Sequence, residues 1–271
     1  MAEKNLTLVT KFLLMAFIDC PEWALPLFLL FLFIYLITLL GNLGMIILIR
    51  LDLRLHTSMY FLLSHLSFMD TCYSFATVPL MMAVLLEPRA ALSYTLCAAQ
   101  FFLFTFFGSI DCYLLALMAN DLYVAVCQPL LYVTIMRRKA RLGFVCITCG
   151  DIYTQEVVLI VFAIFVIPAC IVVISVSYLI IVLAIMRIPS AGGRAKTFWT
   201  CATHLTAVSL FFGTLIFMYL RDNSSQSSEE DRVVSVFYIT VIPTLNPLVY
   251  SLRNKEVMEA LRNILSRARL S

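Results

Sequence analysis

M-A-N-D-L-Y-V-A-V-C-Q-P-L, Met118 to Leu130, is the stretch whose reading decides the fold. It closes the apolar run Ala90–Asn120 and precedes a basic cluster of Arg137, Arg138, Lys139 and Arg141. An apolar helix that ends on an acid and a tyrosine, with Lys and Arg close behind, marks the cytoplasmic mouth of a membrane span. Composition agrees. The chain has 271 residues, 62% hydrophobic and 13% charged, whereas soluble domains are about 45–50% apolar and about 25% charged. An integral membrane protein is predicted. The net charge of +3 belongs to loops facing the cytoplasm and gives no reason to expect nucleic-acid binding.

A span needs about 20 largely apolar residues. Trp23–Ile49, Ser58–Leu86, Ala90–Asn120, Val157–Met186 and Thr197–Leu220 meet that length, and Val233–Leu252 just does. Leu142–Gly150 starts like a further span but stops within about nine residues, less than half of a ~30 Å hydrocarbon core at about 1.5 Å per residue. It runs into Asp151–Glu156, D-I-Y-T-Q-E. The first run starts late and is far longer than a signal-peptide core of about 7–15 residues. It reads as a signal anchor with the N-terminus outside, and the sequon Asn5-Leu6-Thr7 makes Asn5 a glycosylation candidate on that side.

Most of the nine cysteines lie within spans (Cys72, Cys112, Cys127, Cys170 and Cys201), where they act as small hydrophobes. Cys146 and Cys149 have C-x-x-C spacing but no second pair, and no metal site is assigned. Ionisable groups inside a bilayer are costly and normally face a polar interior, which singles out Asp70 and Asp111. With Asn42 and Asn246 they compose one candidate polar cluster. Packing explains a lone buried Asn42 equally well. Phe104, Thr105, Gly108 and Ser109 share one helical face, which spacing alone assigns to a pocket or to helix packing.

Four ordered motifs carry a family resemblance. Met118–Leu130 is similar to the M-A-Y-D-R-Y-V-A-[IV]-C-x-P-L signature of olfactory receptors, within the rhodopsin-like G-protein-coupled receptors, with Asn120 for tyrosine and Leu122 for arginine. Leu55–Asp70 (L-H-T-S-M-Y-F-L-L-S-H-L-S-F-M-D) resembles L-H-x-P-M-Y-F-F-L-x-x-L-S-x-x-D. Ser58 replaces the proline, which is expected to loosen the start of the second span. Lys196–Val208 (K-T-F-W-T-C-A-T-H-L-T-A-V) resembles K-A-x-x-T-C-x-S-H-L, and Pro243–Val257 resembles P-x-L-N-P-x-[IV]-Y-S-x-R-N. Ser177-Tyr178 matches the S-Y of the family's fifth helix, and Phe212-Gly213 stands for Tyr-Gly. Only Leu142–Glu156 falls outside the likeness. There the family has the rest of its fourth helix and a long extracellular loop.

The resemblance implies an all-α membrane protein: a rhodopsin-like seven-helix bundle lacking a complete fourth helix, six full spans plus a stub. One transmembrane domain fills residues 1–271, with 1–22 extracellular, 23–252 the bundle and 253–271 a cytoplasmic tail. The tail, with Val257, Leu261, Ile264 and Leu265 among basic residues, reads as an amphipathic helix lying on membrane lipid. The implied function is binding of small volatile odorants within the bundle and signalling through a heterotrimeric G protein of the olfactory stimulatory type, at the plasma membrane. The pocket would use Phe104, Thr105, Gly108 and Ser109, then Phe162 and Val166. Phe212, Leu215, Ile216, Tyr219 and Ile239 complete it. Asn42, Asp70, Asp111 and Asn246 would hold a sodium ion or relay activation; no other cofactor is implied. Asp121, Leu122, Tyr123, Tyr178, Pro247 and Tyr250 occupy the coupling and switch positions. Cys97 resembles a disulfide cysteine whose partner lies in the missing loop. His204 reads as a helix-packing or G-protein-facing residue, since no second metal ligand is near it in sequence.

Three other functions compete. A transporter would suit the intramembrane carboxylates, but no inverted repeat is visible. No nucleophile–base or metal constellation supports an enzyme. A non-signalling receptor remnant, retained in the endoplasmic reticulum, is motivated by the short fourth helix, Leu122 and Cys97. The lost helix also raises a parity problem. The seven-span arrangement puts most of the 19 Lys and Arg residues inside, as the positive-inside rule requires. A single crossing over Leu142–Met186 would put most of them outside. The C-terminus is therefore expected in the cytoplasm.

Overall fold

The computed structural model describes residues 11–13, 24–86, 91–128, 165–220, 240–250 and 255–270. Among these are seven α-helices: α1 (Ala24–Leu51), α2 (Ser58–Leu86), α3 (Tyr94–Cys127), α4 (Ile167–Met186), α5 (Ala191–Leu220), α6 (240–250) and α7 (Lys255–Leu270). Five of them, α1 to α5, are long and apolar enough to cross a membrane. The architecture is an all-α membrane bundle. Two three-residue strands, β1 (Lys11–Leu13) and β2 (Ala91–Ser93), pair antiparallel with Phe12 opposite Leu92. The sequence did not suggest this ladder. It ties the chain before α1 to the start of α3.

The bundle buries polar groups beside its apolar core and exposes many large apolar side chains. On α1, Thr38 and Asn42 are buried while Leu25, Phe33, Leu40 and Ile47 are exposed. On α2 the buried residues include Ser67, Asp70, Thr71, Ser74 and Thr77 among apolar ones such as Leu63, Leu66 and Tyr73, while Phe61, Phe68 and Phe75 face outward. That arrangement suits helices whose solvent is hydrocarbon, where every polar group must be satisfied internally. The hydroxyls do this locally. Thr38 donates to the Ile34 carbonyl at 2.8 Å, Thr71 to Ser67 at 2.8 Å and Thr77 to Tyr73 at 2.8 Å.

Packing runs in sequence order: α1 on α2, α2 on α3 and α3 on α4, with α5 lying against both α3 and α4. Gly41 allows α1 to approach α6 closely. A Cβ there would sit 3.1 Å from Pro247 Cγ. Between α1 and α2 a 3₁₀ turn, Leu53–Leu55, is capped by Asp52, which accepts from the Arg54 amide at 3.0 Å and pairs with its guanidinium at 2.8 Å.

Two boundaries differ from the sequence expectation. α3 continues to Cys127, so the Asp121–Tyr123 motif lies within the helix rather than at its mouth. α5 starts at Ala191, so Arg194 and Lys196 are helical and not part of a basic loop. The cause is Ser190, whose hydroxyl accepts from the Gly193 amide at 3.3 Å in the manner of an N-cap. At about 1.5 Å per residue α5 reaches ~45 Å, well beyond a ~30 Å hydrocarbon core. The fourth-helix stub, Leu142–Glu156, lies outside the described residues.

Candidate functional site

Three groups of side chains converge inside the bundle. At its centre Asn246 Nδ2 donates to Asp70 Oδ2 at 2.9 Å, joining α6 to α2. Asp111 on α3 is also buried, within electrostatic reach of Asp70. Its Oδ1 has no hydrogen-bond partner among the described residues. Asn42 does not complete this set. Its Nδ2 turns to the carbonyls of Thr38 and Pro243, both at 3.0 Å, and so binds α1 to α6. Three of the four expected members therefore gather around the carboxyl pair, and the fourth supports the helix behind it. Pro247 and Tyr250 are buried on α6, and the Tyr250 hydroxyl has no partner among the described residues.

The second group lies where α2 begins and α3 ends. Asp121 is 1% exposed and Leu122 6% exposed. Ser58 Oγ donates to Asp121 Oδ1 at 2.7 Å. Ser58 therefore does the opposite of loosening the start of α2: it holds α2 to α3, because a hydroxyl there meets a carboxylate that a proline could not reach. Leu122 packs with Ile181 on α4 and Cys201 on α5, bordered by Met59, Tyr123, Tyr178 and Ile185. Beside this cluster the Tyr178 hydroxyl lies 2.6 Å from His204 Nδ1 and donates to the Cys201 carbonyl at 3.1 Å. His204 is fully buried, and its Nε2 has no hydrogen-bond partner among the described residues. His204 thus packs between helices and does not face the cytoplasm. Ser58 was the residue sequence reasoning misjudged. The available signal was that two departures from one family pattern, Ser58 and Leu122, occur in the same chain.

The third group is aromatic and aliphatic. Phe104 on α3 stacks obliquely on Tyr73 of α2 at 5.4 Å, and Phe211 and Phe212 of α5 meet edge to face at 5.2 Å. Phe212 is part of the buried core; Phe104, Phe107, Val166 and Leu215 are half-buried against it. Thr105 is half-buried and Ser109 buried, its hydroxyl turned onto the Thr105 carbonyl at 2.6 Å. Gly108 is half-buried, yet a Cβ there would meet nothing within 4 Å. Ile216 is 42% exposed and does not join the residues packed on this core. Phe162, Ile239 and Asn5 lie outside the described residues, as do the side chains of Cys97 and Tyr219.

Known proteins share these patterns. The family described as "7 transmembrane receptor (rhodopsin family)" matches residues 41–154, and that described as "Olfactory receptor" matches residues 141–268. Human olfactory receptor 9Q1 is 66% identical over 311 aligned positions, covering 100% of both chains. Human olfactory receptor 9Q2 is 60% identical over 309, covering 99% of this chain and 98% of its own. Mouse olfactory receptor 5AP2 is 43% identical, covering 97% and 96%. An all-α bundle with carboxylates inside, the four motifs in order and full-length similarity at this level lead to one assignment: the chain is a receptor, not an enzyme, and belongs to the olfactory receptor family.

Proposed function

We propose that the chain binds a small, mostly apolar volatile molecule between α3, α4, α5 and α6 and passes that binding to a heterotrimeric G protein of the stimulatory type. Gly108 carries the reading of the pocket. It is half-buried on α3 within one turn of Phe104 and Phe107, yet a Cβ there would meet nothing within 4 Å. Phe104, Val166, Phe212 and Leu215 supply an apolar wall, while Thr105 and the more buried Ser109 supply hydroxyls. An odorant that fits one bundle conformation better than another shifts their populations by that difference in affinity. Ile216, Tyr219, Phe162 and Ile239 extend the same proposed site.

A sodium ion suits the centre. Two buried carboxyl groups without an ion-pair partner among the described residues, one with an orphaned oxygen, form an acceptor set for a hard cation. Asp70 and Asp111 would hold it, with Asn246 orienting Asp70. The tail helix α7 buries Val257 and Ala260 and exposes Arg262, consistent with a helix lying on membrane lipid at the cytoplasmic surface. The extracellular 1–22, bundle 23–252 and tail 253–271 remain part of this proposal, as do Asn5 glycosylation and an unpartnered Cys97.

Leu122 favours a second reading, in which the chain is a non-signalling remnant held in the endoplasmic reticulum. Arginine's fork of donors has no apolar substitute. Length supports the shortened fourth helix: 311 positions align with a relative while this chain has 271 residues, a difference of about 40 positions. One experiment separates the readings. Cells expressing the full chain are exposed to an odorant panel while surface staining and cyclic-nucleotide output are read together. A response that Gly108→Leu removes without loss of surface signal supports the receptor. Intracellular retention with no response supports the remnant.

A further inference from the structure

The outward face of α5 changes character near the end where the helix begins. Along the span Leu205, Leu210 and Ile216 are exposed, while Cys201, His204, Val208, Phe211 and Phe212 on the other side are buried. Phe198 stands five full helical turns before Ile216, and Trp199 three turns before Leu210, so each shares its partner's direction. Both aromatics are 56% exposed, and their rings meet edge to face at 5.9 Å. They face the surroundings of the bundle and not its interior. From Trp199 to Leu220 the helix rises roughly 32 Å, enough to fill a ~30 Å hydrocarbon core. The residues of α5 before Trp199 extend about 12 Å beyond that boundary, into the headgroup layer. Arg194 is exposed there. Its Nη1 donates to the Ile188 carbonyl at 3.4 Å, which folds it over the turn that also carries exposed Arg187. Neither guanidinium has a carboxylate at ion-pair distance among the described residues.

We propose that this end of α5 is a docking surface for anionic phospholipid: Phe198 and Trp199 seat at the edge of the hydrocarbon, and Arg187 and Arg194 hold the headgroup beside them. Tryptophan collects at that depth because one part of its ring is apolar and its edge is polar. Arginine suits the headgroup, since its planar fork offers two parallel donors to one phosphate or carboxylate. A basic residue at an anionic membrane surface favours that surface about fivefold. A protein partner is the competing occupant, and the two faces of α5 separate it from lipid. A partner entering the mouth of the bundle meets the side of Cys201 and His204, whereas Phe198 and Trp199 continue the side of Leu205, Leu210 and Ile216. The proposal rests on the receptor reading only for placing this end in the anionic cytoplasmic leaflet. In a bilayer with two identical leaflets, the preference is the same whichever side that end occupies.

The test uses the full chain carrying Trp23→Phe, which leaves Trp199 as its single tryptophan. It is reconstituted in symmetric bilayers of phosphatidylcholine and phosphatidylserine. In one set the phosphatidylserine has brominated chains; in the other an equal fraction of the phosphatidylcholine does. Bromine quenches only an indole it touches, so the two sets report which lipid lies against Trp199. An exchange constant about fivefold in favour of phosphatidylserine is expected. Arg187→Gln together with Arg194→Gln should bring it close to one, and so should about 1 M salt, where charges are screened within ~3 Å. Arg50→Gln, an exposed cation at the end of α1, should leave it unchanged. Trp199→Phe, with Trp23 retained, should show no preference that depends on Arg187 and Arg194. Equal quenching by the two lipids, or a preference that survives both arginine substitutions, would overturn the proposal. So would a Trp199 that neither lipid quenches, which would give this face to a protein partner. No odorant or G protein enters the experiment, so its failure leaves the receptor reading standing, and a silent receptor leaves the lipid site standing.

Discussion

The middle of the bundle and the end where α2 begins and α3 stops handle the same problem, a buried carboxylate, in different ways. In the middle, Asp70 has its hydrogen bond from Asn246 of the P-T-L-N-P motif, and both residues sit where the family pattern has them. Where α2 begins and α3 ends, Asp121 also matches the pattern, but one group that donates to it is Ser58, which does not. The centre joins α2 to α6 through two residues that the resemblance could pair in advance. The end joins α2 to α3 through a residue the resemblance had marked only as a loss. A motif therefore fixes which group is buried more firmly than it fixes what satisfies that group.

The most forceful way to break the comparison is to restore the family residue at the end. Leu122→Arg is expected to change an odorant panel from no cyclic-nucleotide response to a measurable one in cells where the protein reaches the surface. The parent chain, lacking a donor at this position, should stay silent. A strong response from the parent would remove the functional distinction between the two ends. An arginine at residue 122 must also displace contacts with Ile181 and Cys201.

Most of the fold was legible from hydropathy. The limits of α2 agree with its apolar run at both ends, and α1 differs by one or two residues. The start of α5 was not, because Arg194 and Lys196 look like loop residues until the Ser190 cap is seen. In the site, Asp70, Asp111 and Asn246 stood out because ionisable and amide groups are rare in spans. Ser58 carried no such signal: a serine at the start of a helix is ordinary, and its meaning depends on a residue 63 positions away. The role of Asn42 was legible only as a polar residue needing a partner. That its partner is the Pro243 carbonyl, and not a carboxylate, follows from how closely Gly41 lets α1 approach α6.

That close approach sharpens the account of the centre. Gly41→Ala puts a Cβ 3.1 Å from Pro247 Cγ, and the stiff ring must give way by a few tenths of an ångström. The expected loss is about 1 kcal/mol, rising to about 2–3 kcal/mol for Gly41→Val. Thermal midpoints in membranes should fall in that order. Equal midpoints for all three proteins would mean that α1 and α6 do not depend on this contact.

A smaller effect separates the two carboxylate sites by their ions. If the centre holds sodium, replacing choline by about 150 mM sodium should stabilise the chain by roughly 1 kcal/mol for an affinity of some tens of millimolar. Asp111→Asn should abolish that increment, while Asp121→Asn, whatever its own cost, should leave it unchanged. A sodium effect equal in both variants would remove the ion from the centre.

The smallest prediction concerns the edge of the centre, where Thr38 of α1 meets Thr244 of α6 with their hydroxyl oxygens 2.5 Å apart. Each hydroxyl has a single proton. Thr38 donates to the Ile34 carbonyl at 2.8 Å and Thr244 to the Thr240 carbonyl at 2.6 Å. Three contacts therefore compete for two protons, and the bond between the helices forms only when one hydroxyl releases its own backbone. Thr38→Val keeps the shape, removes one proton donor and leaves Thr244 free to keep its carbonyl. The cost should be only about 0.5 kcal/mol, close to the average for hydrogen bonds between membrane helices. Ser58→Ala should exceed it, because the acceptor there is a buried carboxylate with more to lose. If Thr38→Val proves as damaging as Ser58→Ala, the Ser58–Asp121 bond has no special strength, and the contrast between the middle of the bundle and its end rests on sequence alone.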